Sequence, residues 1–330
     1  MCYLGLKHFK KLFKLLYVTV KKLAIIIPAF KITYFKQALN SLASQTDNRF
    51  TVYIGNDNSP DDLKAIVNEF SNILSIKYVK FTNNIGAKNL VNQWTRCVEL
   101  SEEEEWIWLF SDDDIADNTC VEMFYHTIEI SKKKYDVYRF NTVVIDYSGN
   151  QTSLCPVGPE LESSVQMTYH LLLGKRGNSM PDHIFSRKVF EQTGGFVFTR
   201  YAQGADWATS IKFSKDKGIC IIPDAKLNWR YSGLNISSLA GSNKIAMLNG
   251  HIDFLVWIAE HFKYLILDTK SKFTYKDIQN ASIQNLKSVI KFHYKGFDKK
   301  MFFPIFNLLR INFKLPVYKC YMYIYQMYRN

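Results

Sequence analysis

Short apolar runs alternate with stretches of helical spacing between residue 23 and about residue 145, and this alternation restricts the fold more than any other feature of the chain. Five runs rich in β-branched or aromatic residues are predicted to be strands: 23–28, 51–55, 76–81, 106–110 and 137–144. Four stretches between them are predicted to be helices: 34–44, 60–70, 87–100 and 117–132. This order favours an α/β fold, in which the strands pair in parallel and helices cover both faces of the sheet.

The later part of the chain has a different character. From about residue 150 the pattern loosens into loops that carry Gly and Pro, and after about residue 240 helical spacing returns over 245–264 and 275–294. We therefore predict three parts: a basic amphipathic N-terminal helix over 1–21, an α/β domain over 22–240, and a helical, basic C-terminal region over 241–330.

The net charge of +12 is concentrated at the two ends of the chain. Residues 1–22 hold six Lys and no acid, and residues 287–330 hold nine Lys or Arg and one Asp. Five apolar residues from Leu6 to Val20 share one helical face opposite the Lys side chains, which is typical of a helix on an anionic membrane surface. The alternatives are a solvated helix packed on the domain or an irregular tail. No nucleic-acid partner is expected, because such proteins usually carry their basic stripe on the folded domain.

The cysteines and the apolar runs indicate the compartment. Six cysteines are scattered without a C-x-x-C pair, so neither a zinc site nor a disulfide framework is expected, and a reducing compartment is favoured. No apolar run reaches the roughly 18 residues of a membrane-spanning helix, and no signal-peptide core follows the basic N-terminus. These features predict a cytoplasmic protein that is peripheral on the inner face of the cell membrane.

Two acidic turns follow predicted strands and are the first candidates for chemistry. Residues 56–62 follow the second strand, and residues 111–114 follow the fourth. Ligands of parallel sheets bind beyond the carboxyl ends of the strands, so we expect the two turns to meet there. Adjacent carboxylates repel one another, and Mg²⁺ or Mn²⁺ would relieve that repulsion. The alternative for residues 112–114 is a solvated turn that caps the next helix.

Six motifs in sequence order give a family resemblance over about residues 22–235. They are Ile25-Ile26-Ile27-Pro28-Ala29-Phe30, Asn56-Asp57-Asn58-Ser59, Asn83-Asn84-Ile85-Gly86-Ala87-Lys88-Asn89, Ser111-Asp112-Asp113-Asp114, Gly194-Gly195-Phe196 and Ala205-Asp206-Trp207. In this order the chain resembles a family 2 glycosyltransferase with the GT-A fold, of the bacterial surface-polysaccharide type. The resemblance implies a Rossmann-like, mostly parallel sheet. Neither G-x-G-x-x-G nor a Walker A sequence follows the first strand, which disfavours a dinucleotide or P-loop site.

The resemblance also implies which residues contact the donor, a nucleotide sugar. The implied positions are Pro28, Ala29, Phe30, Asp57, Asn84, Gly86, Lys88, Asn89, Asp112, Asp113 and Arg230. Asp57 is the acid that would contact the uracil or the ribose, whereas Asn56 replaces the family's usual acid beside it. Arg230 would pair with a phosphate, and the alternative for it is a surface strand that ends in a turn.

The metal and the catalytic base are implied in the same way. The 112–114 run is similar to the family's D-x-D motif, which implies Mn²⁺ or Mg²⁺ on Asp114 and Asp112; which two acids bind is left open, with Asp114 first. Asp206 is the implied base, although Ala205 replaces the usual Glu, and from the residues alone Asp206 is a helix cap. His183 is either near the acceptor or diphosphate, or a structural histidine.

We therefore expect an inverting, metal-dependent hexosyl- or N-acetylhexosaminyltransferase. It would move a sugar from a nucleotide sugar, with UDP favoured, to a glycan or lipid-linked acceptor in cell-surface polysaccharide or lipopolysaccharide biosynthesis. Two alternatives stay open. One is a catalytically inactive, membrane-associated scaffold with a GT-A-like fold, which Asn56 and Ala205 would suit. The other is a nucleotidyltransferase, for which Lys31 is weak support.

Overall fold

The computed structural model describes residues 22–233, 244–269 and 271–329, so the predicted helix over 1–21 lies outside the described residues. Within them the chain forms a ten-stranded sheet covered by helices. The strands are β1 (Leu23–Ala29), β2 (Phe50–Asn56), β3 (Ile76–Lys80), β4 (Trp106–Leu109), β5 (Ile115–Ala116), β6 (Val137–Ile145), β7 (Gln151–Leu154), β8 (Leu161–Glu162), β9 (His183–Ser186) and β10 (Ile219–Arg230). The α-helices are α1 (Phe35–Ala43), α2 (Leu63–Glu69), α3 (Leu90–Val98), α4 (Cys120–Ile130), α5 (Ser164–Leu172), α6 (Arg187–Gln192), α7 (Ala205–Phe213), α8 (Lys244–Phe262), α9 (Tyr275–Ser288), α10 (Phe302–Asn307) and α11 (Val317–Arg329).

The long strands of the sheet pair mostly in parallel, whereas β9 and the short strands β5, β7 and β8 are antiparallel to their partners. Its order is β3-β2-β1-β4-β9-β6-β10-β5, with β7 on β6 and β8 on β10. Strands β3, β2, β1 and β4 are parallel, as the alternation of strands and helices predicts, and so are β6 and β10. Strand β9 separates β4 from β6 and is antiparallel to both. The chain enters β9 through a 3₁₀ turn at Met180–Asp182 beside the end of β4, so it has to run back along β4.

Strand β1 is buried on both of its faces. Leu23, Ile25 and Ile27 belong to one buried cluster, and Ala24 and Ile26 belong to the other. The first cluster also contains residues of α1, α2 and α4, whereas the second contains residues of α3, α5 and α7. Burial on both faces explains why this strand reads as a continuous apolar run instead of an alternating one.

Helix α4 begins three residues later than the sequence predicts, and so do α2 and α3, which both have a side-chain cap. Helix α2 begins at Leu63 because the Asp62 carboxylate accepts a hydrogen bond from the Ala65 N–H at 3.2 Å. Helix α3 begins at Leu90 because the Asn89 side chain accepts a hydrogen bond from the Asn92 N–H at 3.0 Å. The residues before each cap form loops at the carboxyl edge of the sheet.

The C-terminal helices share a core with the sheet. Buried residues such as Phe254 of α8, Leu286 of α9 and Ile324 of α11 belong to the cluster that contains α3, α5 and α7. At Gly250, helix α8 comes very close to the backbone of Arg200: a Cβ atom at position 250 would lie 2.1 Å from the Arg200 carbonyl oxygen. A larger residue at position 250 would therefore push α8 away from the loop that leads to α7. None of the described helices is both long enough and apolar enough to cross a membrane.

Candidate active site

A cavity of about 980 Å³ lies at the carboxyl ends of β1, β2 and β4. The structure brings Asp57, Asp114 and Asp206 to this cavity from distant parts of the chain. The lining also includes the 28–30 turn and the loop residues Asn84 and Gly86. The two acidic turns and the candidate base therefore share one space, as a site that acts on a single ligand requires.

Asp57 holds the 84–86 loop against the end of β2. Its carboxylate accepts hydrogen bonds from the Ile85 N–H at 2.9 Å and the Gly86 N–H at 2.8 Å, and it pairs with the Arg96 guanidinium. A Cβ atom at position 86 would lie 2.6 Å from the Asp57 carboxylate. A larger residue there would force the Asp57 carboxylate to shift, so glycine lets the loop backbone approach the acid this closely.

Asn56 keeps the turn at the end of β2 in place although it carries no charge. Its side-chain oxygen accepts a hydrogen bond from the Ser59 N–H at 2.7 Å, and its amide donates to the Tyr78 hydroxyl at 2.7 Å. Ser59 in turn donates its hydroxyl hydrogen to the Phe30 carbonyl at 2.7 Å. The departure from the family's usual acid therefore leaves the turn connected to the end of β1.

Asp112 and Asp113 bind the turn that follows β1. The Asp112 Oδ2 atom accepts hydrogen bonds from the Phe30 and Lys31 N–H groups, both at 2.8 Å. The Asp113 carboxylate pairs with the Lys31 ammonium group and accepts a hydrogen bond from the Ser111 hydroxyl at 2.6 Å. Burial raises the pKa of Asp112, since removal from water disfavours the charged form, and the positive charge of Lys31 opposes this shift.

Asp114 is more deeply buried than Asp112 and Asp113, with 1% of its surface exposed. Its Oδ1 atom accepts a hydrogen bond from the Arg230 N–H at 2.8 Å. Burial, and after it the negative charge of Asp113, raise the pKa of Asp114 well above its ordinary value. A cation that reached this carboxylate would favour its charged form.

Arg230 supports the acidic turn and does not line the cavity. Its guanidinium donates to the carbonyl oxygens of Asp113 at 2.8 Å and Asp146 at 3.0 Å, and to the Gln37 side-chain oxygen at 2.8 Å. The residue is 0% exposed, so it is not part of a surface strand either. Its position argues against the expected phosphate contact and gives it the role of holding the 112–114 turn in place.

Asp206 lies half-buried in the first turn of α7. The helix starts after Gly204, which has a φ of +70° and where a Cβ atom would lie 2.7 Å from the Phe254 ring. The Asp206 Oδ1 atom accepts a hydrogen bond from the Trp207 N–H at 2.9 Å. Burial raises the pKa of Asp206 to about 7, which suits a group that accepts a proton near neutral pH.

Asp182 is a cavity residue that the sequence analysis missed. It is 0% exposed and accepts hydrogen bonds from the Ser179 N–H at 2.8 Å and the Ser179 hydroxyl at 2.7 Å. Its charge adds to the burial effect that raises the pKa of Asp206. The only local signal for Asp182 in the sequence is its place directly before His183. His183 is buried in β9 and does not line the cavity, and burial lowers its pKa to about 3, so it is neutral.

Two other predicted donor contacts, Lys88 and Asn89, do not line the cavity. Lys88 is exposed, and the Asn89 side chain caps α3. Lys31 does line it, although the sequence analysis considered it only for a nucleotidyltransferase. The signal that could have found it is its position directly after the 28–30 turn.

The cavity is strongly acidic. Of the described residues that line it, Lys31 is the only Lys or Arg. Six carboxylates line it: Asp57, Asp112, Asp113, Asp114, Asp182 and Asp206. The carboxylates would repel an anionic ligand in this cavity unless a cation accompanied it.

The described residues fit a metal ion only if a ligand completes its coordination. Residues 22–233, 244–269 and 271–329 contain no group of three or more His, Cys, Asp or Glu side chains placed to hold a metal ion. Asp112 and Asp114 offer the oxygen ligands that Mg²⁺ and Mn²⁺ prefer, and such ions are commonly held by one or two carboxylates together with substrate phosphates. The donor set therefore fits a shared ion and not a closed protein site.

The family follows from comparison with known proteins. The model of glycosyl transferase family 2 matches residues 24–194, which is more than half of the chain. The chain therefore belongs to glycosyl transferase family 2, and it is a glycosyltransferase. A comparison with curated protein sequences gives no match.

Solved structures confirm the GT-A fold that the family resemblance implies. Staphylococcus aureus TarS 1-349 in complex with UDP-GlcNAc has a TM-score of 0.65 at 16% identity, over 88% of this chain and 81% of that chain. The complex of the same protein with UDP has a TM-score of 0.63 at 14% identity, over 88% and 80%. The likeness therefore extends beyond residue 194 into the helical region.

Proposed function

We propose that this glycosyltransferase moves a sugar from a UDP-sugar to an acceptor hydroxyl group, with inversion at the anomeric carbon. The observation that carries the proposal is the meeting of Asp57, the 112–114 turn and Asp206 in one cavity. The likeness to TarS, whose structures contain UDP and UDP-GlcNAc, supports a UDP-linked donor. An N-acetylhexosamine or another hexose is the proposed sugar.

The donor's nucleotide lies against the turn after β1 and the loop held by Asp57. Phe30 is 40% exposed at the cavity, so its ring is available to pack against a base. Asn84 and Gly86 present polar backbone and side-chain groups beside it. Asp57 already uses its carboxylate to fix this loop, so in this chain it also shapes the nucleotide site.

Asp114 and Asp112 would hold Mn²⁺ or Mg²⁺ together with the donor's diphosphate. The charge of the cavity supports this metal site. Without a metal ion, a diphosphate would face six carboxylates, with Lys31 as the only positive charge among the described lining residues. When bound, such an ion would neutralise the charge that develops on the leaving diphosphate. Lys31 adds one positive charge beside Asp112 and Asp113.

Asp206 removes the proton from the acceptor hydroxyl as that oxygen attacks the anomeric carbon. Its raised pKa of about 7 makes it a stronger base than an exposed Asp while it is still largely ionised at slightly alkaline pH. Attack from the face opposite the leaving diphosphate inverts the anomeric carbon. Asp182 accepts two hydrogen bonds from Ser179, and its negative charge helps to raise the pKa of Asp206.

The acceptor is a glycan or lipid-linked sugar in cell-surface polysaccharide synthesis, and the protein binds the cytoplasmic face of the membrane. The support is the exposed face of α11, which carries Tyr318, Tyr321, Met322, Tyr325 and Tyr328. The surrounding residues 287–330 hold nine Lys or Arg and one Asp. Aromatic and basic side chains together suit the boundary between an anionic bilayer and water.

One experiment separates the enzyme from an inactive scaffold. Purified protein is given Mn²⁺ and a panel of nucleotide sugars, and donor hydrolysis is measured without an acceptor. We expect hydrolysis of a UDP-sugar that is lost in Asp114→Ala and Asp206→Asn but kept in Asp216→Asn, an exposed control just beyond α7. Donor binding without turnover, even with acceptor lipids present, would favour the scaffold.

A further inference from the structure

One end of the cavity is built from helices that the family model does not cover. We call it the helical end, and its residues are His251, Phe254, Asn285, Val289, His293 and Tyr294. It begins directly beside the candidate base, because Trp207, the neighbour of Asp206, packs against Phe254 with ring centroids 5.8 Å apart. Trp207 lines the same cavity. A ligand in the helical end would therefore lie next to Asp206.

Tyr294 brings an unused polar group to this end. The residue is 1% exposed, and its hydroxyl has no hydrogen-bond partner among the described residues. A buried hydroxyl without a partner is unfavourable, and native structures usually satisfy such groups with protein, water or a ligand. Tyr294 lines the cavity, so a ligand hydroxyl there could supply the missing partner.

The helical end is polar and aromatic but carries no charge at neutral pH. None of its residues is Asp, Glu, Lys or Arg. Burial lowers the pKa of His251 to about 4 and also lowers the pKa of His293, so both imidazoles are neutral. His251 Nε2 lies 2.9 Å from the Asn285 side-chain oxygen. Elsewhere in the cavity the charged residues are Lys31 and six acids, among them Asp206 and Asp182, and the acids would repel an anionic ligand.

We propose that the helical end binds a neutral sugar ring of the acceptor, with the Tyr294 hydroxyl bonded to a ring hydroxyl and the Trp207 ring, which Phe254 supports from behind, packed on its apolar face. This inference rests on the proposed function, because it places the acceptor hydroxyl beside Asp206. It also restricts the substrate class, since a polyol phosphate would find no Lys or Arg among the helical-end residues.

The test uses binding, so it does not depend on turnover. Neutral alkyl glycosides of glucose, galactose and N-acetylglucosamine, with glycerol phosphate as the anionic probe, are titrated into the full chain by ligand-observed NMR. We expect at least one glycoside to bind and Tyr294→Phe to weaken that binding roughly 5- to 30-fold, as loss of one hydrogen bond does. Tyr264→Phe, at a residue 85% exposed, is the matched control and should bind as the wild type does.

The temperature of unfolding of Tyr294→Phe shows whether weaker binding comes from a misfolded variant. Tyr294→Phe removes a hydroxyl without a partner, so the temperature of unfolding should not fall. Equal glycoside binding by the wild type and Tyr294→Phe, no glycoside binding at all, or preferred binding of glycerol phosphate would overturn the inference. A drop in glycoside binding in Tyr294→Phe, with no donor hydrolysis by the wild type, would support the sugar site while the proposed function fails.

Discussion

Replacement of Asp206 by Asn should change the rate and the stability of the protein in opposite directions. Asn cannot accept a proton, so transfer should slow by roughly 10²- to 10⁴-fold, the usual contribution of a general base. Asn also removes a carboxylate whose ionisation the fold disfavours. The same substitution therefore tests the chemical role and the burial of this residue.

The size of the stability effect follows from the pKa. Burial raises the pKa of Asp206 to about 7 in the folded chain, whereas in the unfolded chain it lies near 3.9. The unfolded chain loses this proton first, so stability falls as the pH rises between these two values. The titration of Asp206 therefore lowers the free energy of unfolding by roughly 1.5 kcal/mol at pH 5 and by about 4 kcal/mol at pH 8. Since Asn carries no such cost, the gain from Asp206→Asn should be about 2.5 kcal/mol larger at pH 8 than at pH 5.

Urea unfolding of the wild type, Asp206→Asn and the control Asp216→Asn at both pH values measures this difference. The free energy of unfolding is compared within each pH, so other titrating groups cancel. Donor hydrolysis and transfer are assayed on the same preparations. A gain that is equal at pH 5 and pH 8 would refute the raised pKa of this carboxylate, and wild-type transfer by Asp206→Asn would refute its role as the base.

Three further predictions follow from the site and the surface. Asp114→Ala should remove the stimulation of donor hydrolysis by Mn²⁺, with a loss of about 10²-fold or more, because one ligand of the shared ion is gone; retained stimulation in a metal titration would contradict this. Arg230→Ala leaves buried carbonyl groups without their donor and should lower the free energy of unfolding by about 3 kcal/mol in urea, whereas a loss below about 1 kcal/mol would argue against its positioning role. Replacing Tyr321 and Tyr325 by Ser, or deleting residues 1–20, should reduce co-sedimentation with anionic vesicles, and unchanged sedimentation of both variants would exclude the membrane surface as a partner.

The strands that carry the acidic turns could be predicted because their sequence signal is local. A strand buried on both faces reads as an apolar run, and β1, β2 and β4 all do so. Strand β9 could not be predicted in this way, since it has four residues that begin with His183 and end with Ser186. Its place depends on tertiary contacts, among them the hydrogen bond from the Trp108 indole N–H to the Pro181 carbonyl at 2.7 Å.

The residues of the candidate site that lie in local motifs could be predicted, whereas those placed by tertiary packing could not. Asp57, Asp114 and Asp206 stand in short motifs, so local sequence was enough to find them. The position of Arg230 was not predictable, because it depends on the Asp113 carbonyl and on the Gln37 side chain, which lie far away in the chain. Tyr294 and the rest of the helical end lack any motif, and only the packing of the C-terminal helices brings them to the cavity.

The close contact at Gly250 has a consequence for protein engineering. Helix α8 can reach the loop before α7 only because position 250 has no side chain, and Phe254 fits beside Gly204 for the same reason. A chimera that received its last helices from another member of the family would therefore need this pair of glycines and an aromatic ring of matching size. With those kept, we expect the choice of acceptor to travel with the grafted helices and the choice of donor to stay with the host.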